Sequence, residues 1–120
     1  MRIFKNTWFD RFADKEGITD DELRNVVDML EKDQADVDLG AGVYKMRVAR
    51  PGEGKSGGYR AIVFFRSGER TFFVYGFAKS DMDNISEKQL RGFKKAAKIA
   101  LKFSEKELDR QVKNGLFLEI

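Results

Sequence analysis

Tyr59-Arg60-Ala61-Ile62-Val63-Phe64-Phe65-Arg66-Ser67-Gly68-Glu69-Arg70-Thr71-Phe72-Phe73-Val74-Tyr75-Gly76-Phe77-Ala78 decides the fold class. Tyr59 to Arg66 is an apolar run rich in β-branched and aromatic residues. Arg66-Ser67-Gly68-Glu69 is a turn signal. Thr71 to Ala78 is a second run of the same kind. Two such runs joined by a short glycine-bearing turn predict a β-hairpin. Upstream, Val43 to Val48 alternates, with Tyr44, Met46 and Val48 on one side and Lys45 and Arg47 on the other, which predicts a third strand. At the two ends, Arg2 to Lys5 and Leu116 to Glu119 are short candidate edge strands.

Helices flank this strand-rich middle. Thr19-Asp20-Asp21-Glu22, Ser86-Glu87-Lys88-Gln89 and Ser104-Glu105-Lys106-Glu107 each have the spacing of a capping box, in which a hydroxyl accepts an N–H three residues on. After the first, Leu23, Val26, Val27 and Leu30 recur on one helical face. After the second, Leu90, Phe93, Ala97 and Leu101 do the same. After the third come Leu108 and Val112, with Gly115 placed to end the helix. Trp8 and Phe12 stand four apart, in a short helix after Asn6 or Thr7. The expected order is β-α-α-β-β-β-α-α-β. This is an α+β fold, an antiparallel β-sheet packed against helices, in a single domain over residues 1–120.

Composition narrows the chemistry. The chain has 120 residues and contains neither His nor Cys. This excludes catalytic triads, imidazole acid–base chemistry, thiolate nucleophiles, disulfides and zinc fingers. Neither a metal nor an organic cofactor is expected. The apolar runs are only a few residues long, so no membrane span is expected. Met1-Arg2-Ile3-Phe4-Lys5 has no apolar signal-peptide core, and a cytoplasmic protein is expected. The net charge of +3 hides an asymmetry. Residues 1–40 carry 6 bases and 11 acids, and residues 41–79 carry 8 bases and 2 acids. A basic middle beside an acidic first third points to a polyanionic partner, or else to two solvated faces of opposite sign.

Arg50-Pro51-Gly52-Glu53-Gly54-Lys55-Ser56-Gly57-Gly58 interrupts the strands and reads as a mobile loop with Lys55 near its middle. Ala49 to Ser56 matches a relaxed phosphate-loop pattern. That motif needs a helix after the loop, and here glycines and a strand-like run follow, so a nucleoside triphosphatase is set aside.

What remains is a basic constellation. Lys45 and Arg47 leave one face of a strand, Arg60 opens the next, Tyr75 lies in the one after, and Lys79 follows it. Antiparallel neighbours can bring these to one surface, a site for RNA phosphates. Cutting RNA requires removal of the 2′-OH proton, charge stabilisation on the phosphoryl oxygens and a proton for the leaving 5′-oxygen. Arg and Lys meet the second need. A Lys crowded by other cations can take a proton, and a Tyr or second Lys can return one. The plainer readings stand beside this one. Lys45 and Arg47 fit a solvated outer face, Tyr75 fits a core aromatic, and the glycine stretch fits a simple connection.

Tyr44-Lys45-Met46-Arg47, Ser56-Gly57-Gly58-Tyr59-Arg60 and Phe72-Phe73-Val74-Tyr75-Gly76-Phe77-Ala78-Lys79 together resemble the RelE/HigB-like toxins of bacterial toxin–antitoxin systems. The similarity is closest to the subgroup with a Lys-Ser-Gly-Gly-Tyr-Arg loop and a Phe-Ala-Lys strand end. It implies the compact α+β fold of the RelE/ParE superfamily. It also implies a ribosome-dependent, metal-independent endoribonuclease (an mRNA interferase) that inhibits translation by cutting mRNA. The implied partners are the ribosome, mRNA and a cognate antitoxin, usually a helix-turn-helix protein in this subgroup. By motif, Lys45 and Arg47 fall on the basic positions of the family's second strand. Arg60 falls on the arginine that holds the scissile phosphate, and Lys79 on the basic strand end. Tyr75 is a candidate for the tyrosine that other members carry near the C-terminus. Arg50 and Lys55 are expected RNA contacts. Some relatives with this fold poison DNA gyrase, so the alternative is a non-nuclease toxin or an inactive interaction module.

Overall fold

A computed structural model describes residues 1–50, 54–78 and 85–120, without the side chains of residues 50 and 54–57. The expected hairpin lies at its centre. β4 (Gly54–Arg66) and β5 (Arg70–Ala78) pair antiparallel from Arg66↔Arg70 to Tyr59↔Ala78. β3 (Val43–Arg50) pairs antiparallel along the other edge of β4. With β1 (Arg2–Asn6), β2 (Val37–Gly40) and β6 (Phe117–Glu119) they form a six-stranded sheet of order β2-β3-β4-β5-β1-β6. The helices are α1 (Thr7–Glu16), α2 (Asp20–Glu31), α3 (Glu87–Ala100) and α4 (Glu105–Lys113), so the architecture is α+β.

Three details differ from the expectation. The sheet is mixed, because β1 runs parallel to β5. β1 also lies inside the sheet rather than at its edge, with β6 antiparallel on its far side. A five-residue alternation shows which face is apolar but carries no information on direction. The second difference is β2, a four-residue edge strand that was not expected. The third is the glycine stretch. β4 begins at Gly54, which pairs with Arg50, so Gly54 to Gly58 belong to a strand and not to an open loop. Glycine is a poor strand former, but the ladder with β3 overrides that preference. The chain therefore enters a strand where a phosphate loop needs a helix.

The helix starts follow the capping signals. Thr19, Ser86 and Ser104 are N-caps whose side chains accept from the N–H groups of Glu22, Gln89 and Glu107. Asn6 caps α1 by accepting from Phe9 N–H at 2.8 Å. The apolar faces then close two cores, one on each side of the sheet. Leu23, Val26, Val27 and Leu30 of α2 and Phe9 of α1 pack with Met46, Val48, Tyr59, Val63 and Phe73. Ala97 and Ala100 of α3 and Leu108 of α4 pack with Val43, Ile62, Phe64 and Phe72. Each large apolar side chain fully buried here contributes roughly 1.5–3 kcal/mol.

A bulge decides which residues share a face. Val63 pairs with Phe73 and Ile62 with Tyr75, so Val74 is an extra residue in β5. Val74 and Tyr75 consequently both belong to the α3/α4 side. Gly76 returns to the α1 side, where an added Cβ would come within 2.5 Å of the Phe12 ring. Without a side chain at Gly76, α1 can lie close against β5.

Ionic contacts tie the layers together. Lys5 reaches Asp10 of α1 at 2.9 Å and Asp20 of α2 at 3.3 Å. Burial opposes its charge, but the two carboxylates prevail and hold its pKa above the usual lysine value. Arg70 is buried and donates to the carbonyls of Ala100 and Phe103, while Arg66 donates to that of Leu101. These guanidinium groups satisfy the C-terminal end of α3. Arg2 binds Glu105 and Asp109 of α4 and Glu119 of β6 at 2.6 to 2.9 Å.

The β2–β3 turn closes at Gly40↔Val43, with Ala41 at φ 56° and Gly42 at φ 80°. Both values are positive, as a type I′ hairpin requires. A Cβ on Gly42 would also stand 2.5 Å from Leu101 Cδ1. Gly42→Ala is expected to lower stability by about 1–2 kcal/mol, and Ala41→Asn to raise it slightly, in calorimetric melts.

The Arg2 guanidinium holds the Glu119 carboxyl below its ordinary value of 4.5. A depressed carboxyl stabilises the fold above the unfolded-state value and loses that effect as pH falls through the folded-state value. Glu119→Gln is therefore expected to be less stable than the parent at neutral pH. The gap should close in acid denaturation below about pH 4.5.

Candidate functional site

On the α3/α4 side, Phe64 and Ile62 are buried in the core with Ala97 and Ala100 of α3. Further along the same strand face stand Lys45, Arg47 and Arg60. They line a cleft of about 310 Å³ together with Asp36 and Val37. The register accounts for the cluster. Lys45 lies between Val37 of β2 and Ile62 of β4, and Arg47 is directly opposite Arg60. Directly opposed positions have Cβ atoms roughly 4.5–5.5 Å apart. Arg60 Nη1 donates back to its neighbour, the carbonyl of Tyr59, at 3.3 Å.

Asp36 is a cleft residue that the sequence patterns did not single out. Its Oδ2 accepts the backbone N–H of Arg47 at 2.8 Å. Its Oδ1 accepts from Arg47 Nε at 3.1 Å and Nη2 at 2.9 Å. The Asp36 side chain is 14% exposed, whereas that of Arg47 is 47% exposed. Among the described residues the cleft therefore sets three cations beside one carboxylate. It can hold an oxyanion such as a phosphodiester, with Arg47 still open to solvent on one side.

Lys45, Arg47 and Arg60 are thus brought together in one cleft. Tyr75 is on the same face but outside the cleft. It pairs with Ile62, which pairs with Lys45, so two strand spacings, about 10 Å, separate Tyr75 from Lys45. Its ring is stacked on Trp8 at 4.6 Å and lies 5.8 Å from Phe93. Tyr75 therefore belongs to an aromatic cluster. Lys79 lies outside the described residues, as do the side chains of Arg50 and Lys55. For Asp36 the only available signal was the alternation of Val37 and Leu39. Its contact with Arg47 depends on the β2–β3 pairing.

A second cleft, of about 490 Å³, opens between α3 and α4. Phe93, Ile99, Phe103, Leu116 and Phe117 dominate it, and among the described residues its lining holds no charged one. Among the described residues no group of three or more Asp or Glu could hold a metal ion. No helix among them is long and apolar enough to cross a membrane.

A family model described as the RelE toxin of the RelE/RelB toxin–antitoxin system matches residues 1–120. The match spans both the cationic cleft and the two helical layers around the sheet.

Each cleft cation that contacts a phosphate displaces counterions, so the salt dependence of binding counts the contacts. Lys45→Gln and Arg60→Gln are each expected to flatten log K against log salt for a single-stranded oligonucleotide by about 0.7. Fluorescence anisotropy across a salt series measures this.

Proposed function

The chain belongs to the RelE toxin family, and from that premise we propose that it is a ribosome-dependent mRNA endoribonuclease, an mRNA interferase of the HigB-like branch that inhibits translation in the cytoplasm. Family membership implies an antitoxin partner. In this proposal the antitoxin is a helix-turn-helix protein, and residues 1–120 act as one toxin domain. The observation that carries the reading is the convergence of Lys45, Arg47 and Arg60 on one cleft.

The roles follow from the chemistry of phosphodiester cleavage. Arg47 and Arg60 face the nonbridging phosphoryl oxygens, where negative charge grows in the transition state. Lys45 is assigned to accept the 2′-OH proton as the 2′-oxygen attacks phosphorus. The bond to the 5′-oxygen breaks, and that oxygen takes a proton from a second donor, for which Lys79 is the candidate. The products are a 2′,3′-cyclic phosphate and a 5′-OH. Arg50 and Lys55 are assigned to the RNA backbone on either side. Cations supply the charge stabilisation, so the proposed reaction is metal-independent. The ribosome supplies the orientation of the mRNA, a contribution that can be worth many powers of ten.

Induced expression is expected to arrest growth and to leave mRNA cut within codons. Arg60→Ala should reduce cleavage on programmed ribosomes by about 10²–10³-fold without loss of the folded state. A 2′-deoxy substitution at the cut site should block the reaction, and chelators should leave it unchanged. Growth arrest with intact mRNA would contradict this reading and leave a gyrase poison or other non-nuclease toxin in its place.

A further inference from the structure

Arg47 and Arg60 are direct cross-strand neighbours, and like charges in that relation repel. With nothing to hold it, a surface arginine in this position swings toward solvent and samples many rotamers. Asp36 prevents this. It accepts the Nε and Nη2 protons of Arg47 with one carboxylate oxygen and the Arg47 backbone N–H with the other. Asp36 immediately precedes β2, and its carboxylate supplies the acceptor for a β3 N–H just past the Val37↔Lys45 pair. The carboxylate is mostly buried, while the guanidinium it grips is half exposed.

Two consequences follow from the same contacts. The edge of Arg47 carrying Nε is occupied, so the guanidinium meets an incoming phosphate only through its remaining N–H groups and in one orientation. The carboxylate also subtracts one charge from the cleft and competes with the phosphate for Arg47. We infer that Asp36 is a positioning residue for Arg47 and an internal competitor of the RNA phosphodiester. It trades affinity for polyanions against a fixed geometry at the scissile phosphate. The inference rests on the reading of the cleft as the RNA site. Interactions that strengthen ground-state binding alone do not speed the chemical step, whereas a fixed donor direction does.

The test uses the full chain and two substitutions. Asp36→Asn retains an acceptor for the Arg47 N–H but removes the charge, and Asp36→Glu retains the charge with a longer reach. The first probe is a single-stranded, fully 2′-deoxy oligonucleotide, which cannot be cut by attack of a 2′-oxygen. Asp36→Asn is expected to bind it about fivefold more tightly, as for one unit charge removed near a phosphate in water. Its log K against log salt should steepen by about 0.7, one further phosphate contact. On programmed ribosomes the same variant should show a lower KM and a kcat reduced by about 10²-fold. Asp36→Glu should restore the parental salt slope but not kcat.

A merely structural anchor predicts something else: weaker binding and a lower melting temperature in both variants, with an unchanged salt slope. That result overturns the inference, as does an affinity for Asp36→Asn equal to the parent's. If Asp36→Asn does not fold, Asp36→Glu decides alone, and a kcat equal to the parent's overturns positioning. If the parent binds the oligonucleotide but cuts no mRNA, the nuclease reading fails, while the affinity and salt arms still decide the competition between Asp36 and phosphate.

Discussion

Arg47 and Arg60 stand opposite one another because the β3–β4 register leaves them no other place. That register runs from Val43↔Phe64 to Val48↔Tyr59 and sets Val43, Met46, Val48, Tyr59, Ala61, Ile62, Val63 and Phe64 onto their buried faces. A slip of one residue would separate the two arginines and turn the buried side chains of the slipped strand to the wrong side. The repulsion costs roughly 0.2–1 kcal/mol. Each large apolar side chain misplaced costs more than that on its own. The core therefore dictates the charge pair, and Asp36 offsets part of the repulsion.

The way arginines are paired separates the structural end of the molecule from the chemical one. Arg2 has three carboxylates around it, and its pKa is raised first by Glu119 and then by Glu105 and Asp109. Its charge is spent on holding α4 and β6 to β1. Arg66 and Arg70 are spent on the last carbonyls of α3. Among the described residues the balance in the cleft is reversed, with Lys45, Arg47 and Arg60 beside the carboxylate of Asp36. These cations lie where the α3/α4 face of the sheet continues beyond the α3 core.

Much of this was legible from local chemistry. The caps at Thr19, Ser86 and Ser104 mark helix starts because side-chain acceptors three residues before an N–H have a short-range geometric solution. The hairpin was legible because both runs are β-rich and the turn is short. β2 was not. Four residues carrying one clear apolar alternation do not stand out from a loop, and its pairing is settled by the turn at Ala41–Gly42 and by contact with β3. The direction of β1 was hidden for a similar reason. Phe4 alone is buried in that strand, and its stacking on Phe72 at 5.0 Å is a tertiary contact. Tyr75 illustrates the same limit at the candidate site. Strict alternation from Phe73 would have placed it on the α1 side, and the bulge at Val74 moved it to the other.

By itself, the sequence determined that any chemistry here must be done with Lys, Arg, Tyr, Ser, carboxylates or backbone groups, since His and Cys are absent. It also determined that Lys45 and Arg47 share a face, because side chains two apart on a strand must. Only the tertiary structure decided that Arg60 joins them, that Tyr75 stands two strands away among aromatics, and that Asp36 reaches across to hold Arg47. Those outcomes depend on register, on a bulge and on the pairing of a short edge strand. All three are set by burial summed over residues distant in sequence, so no local pattern carries them.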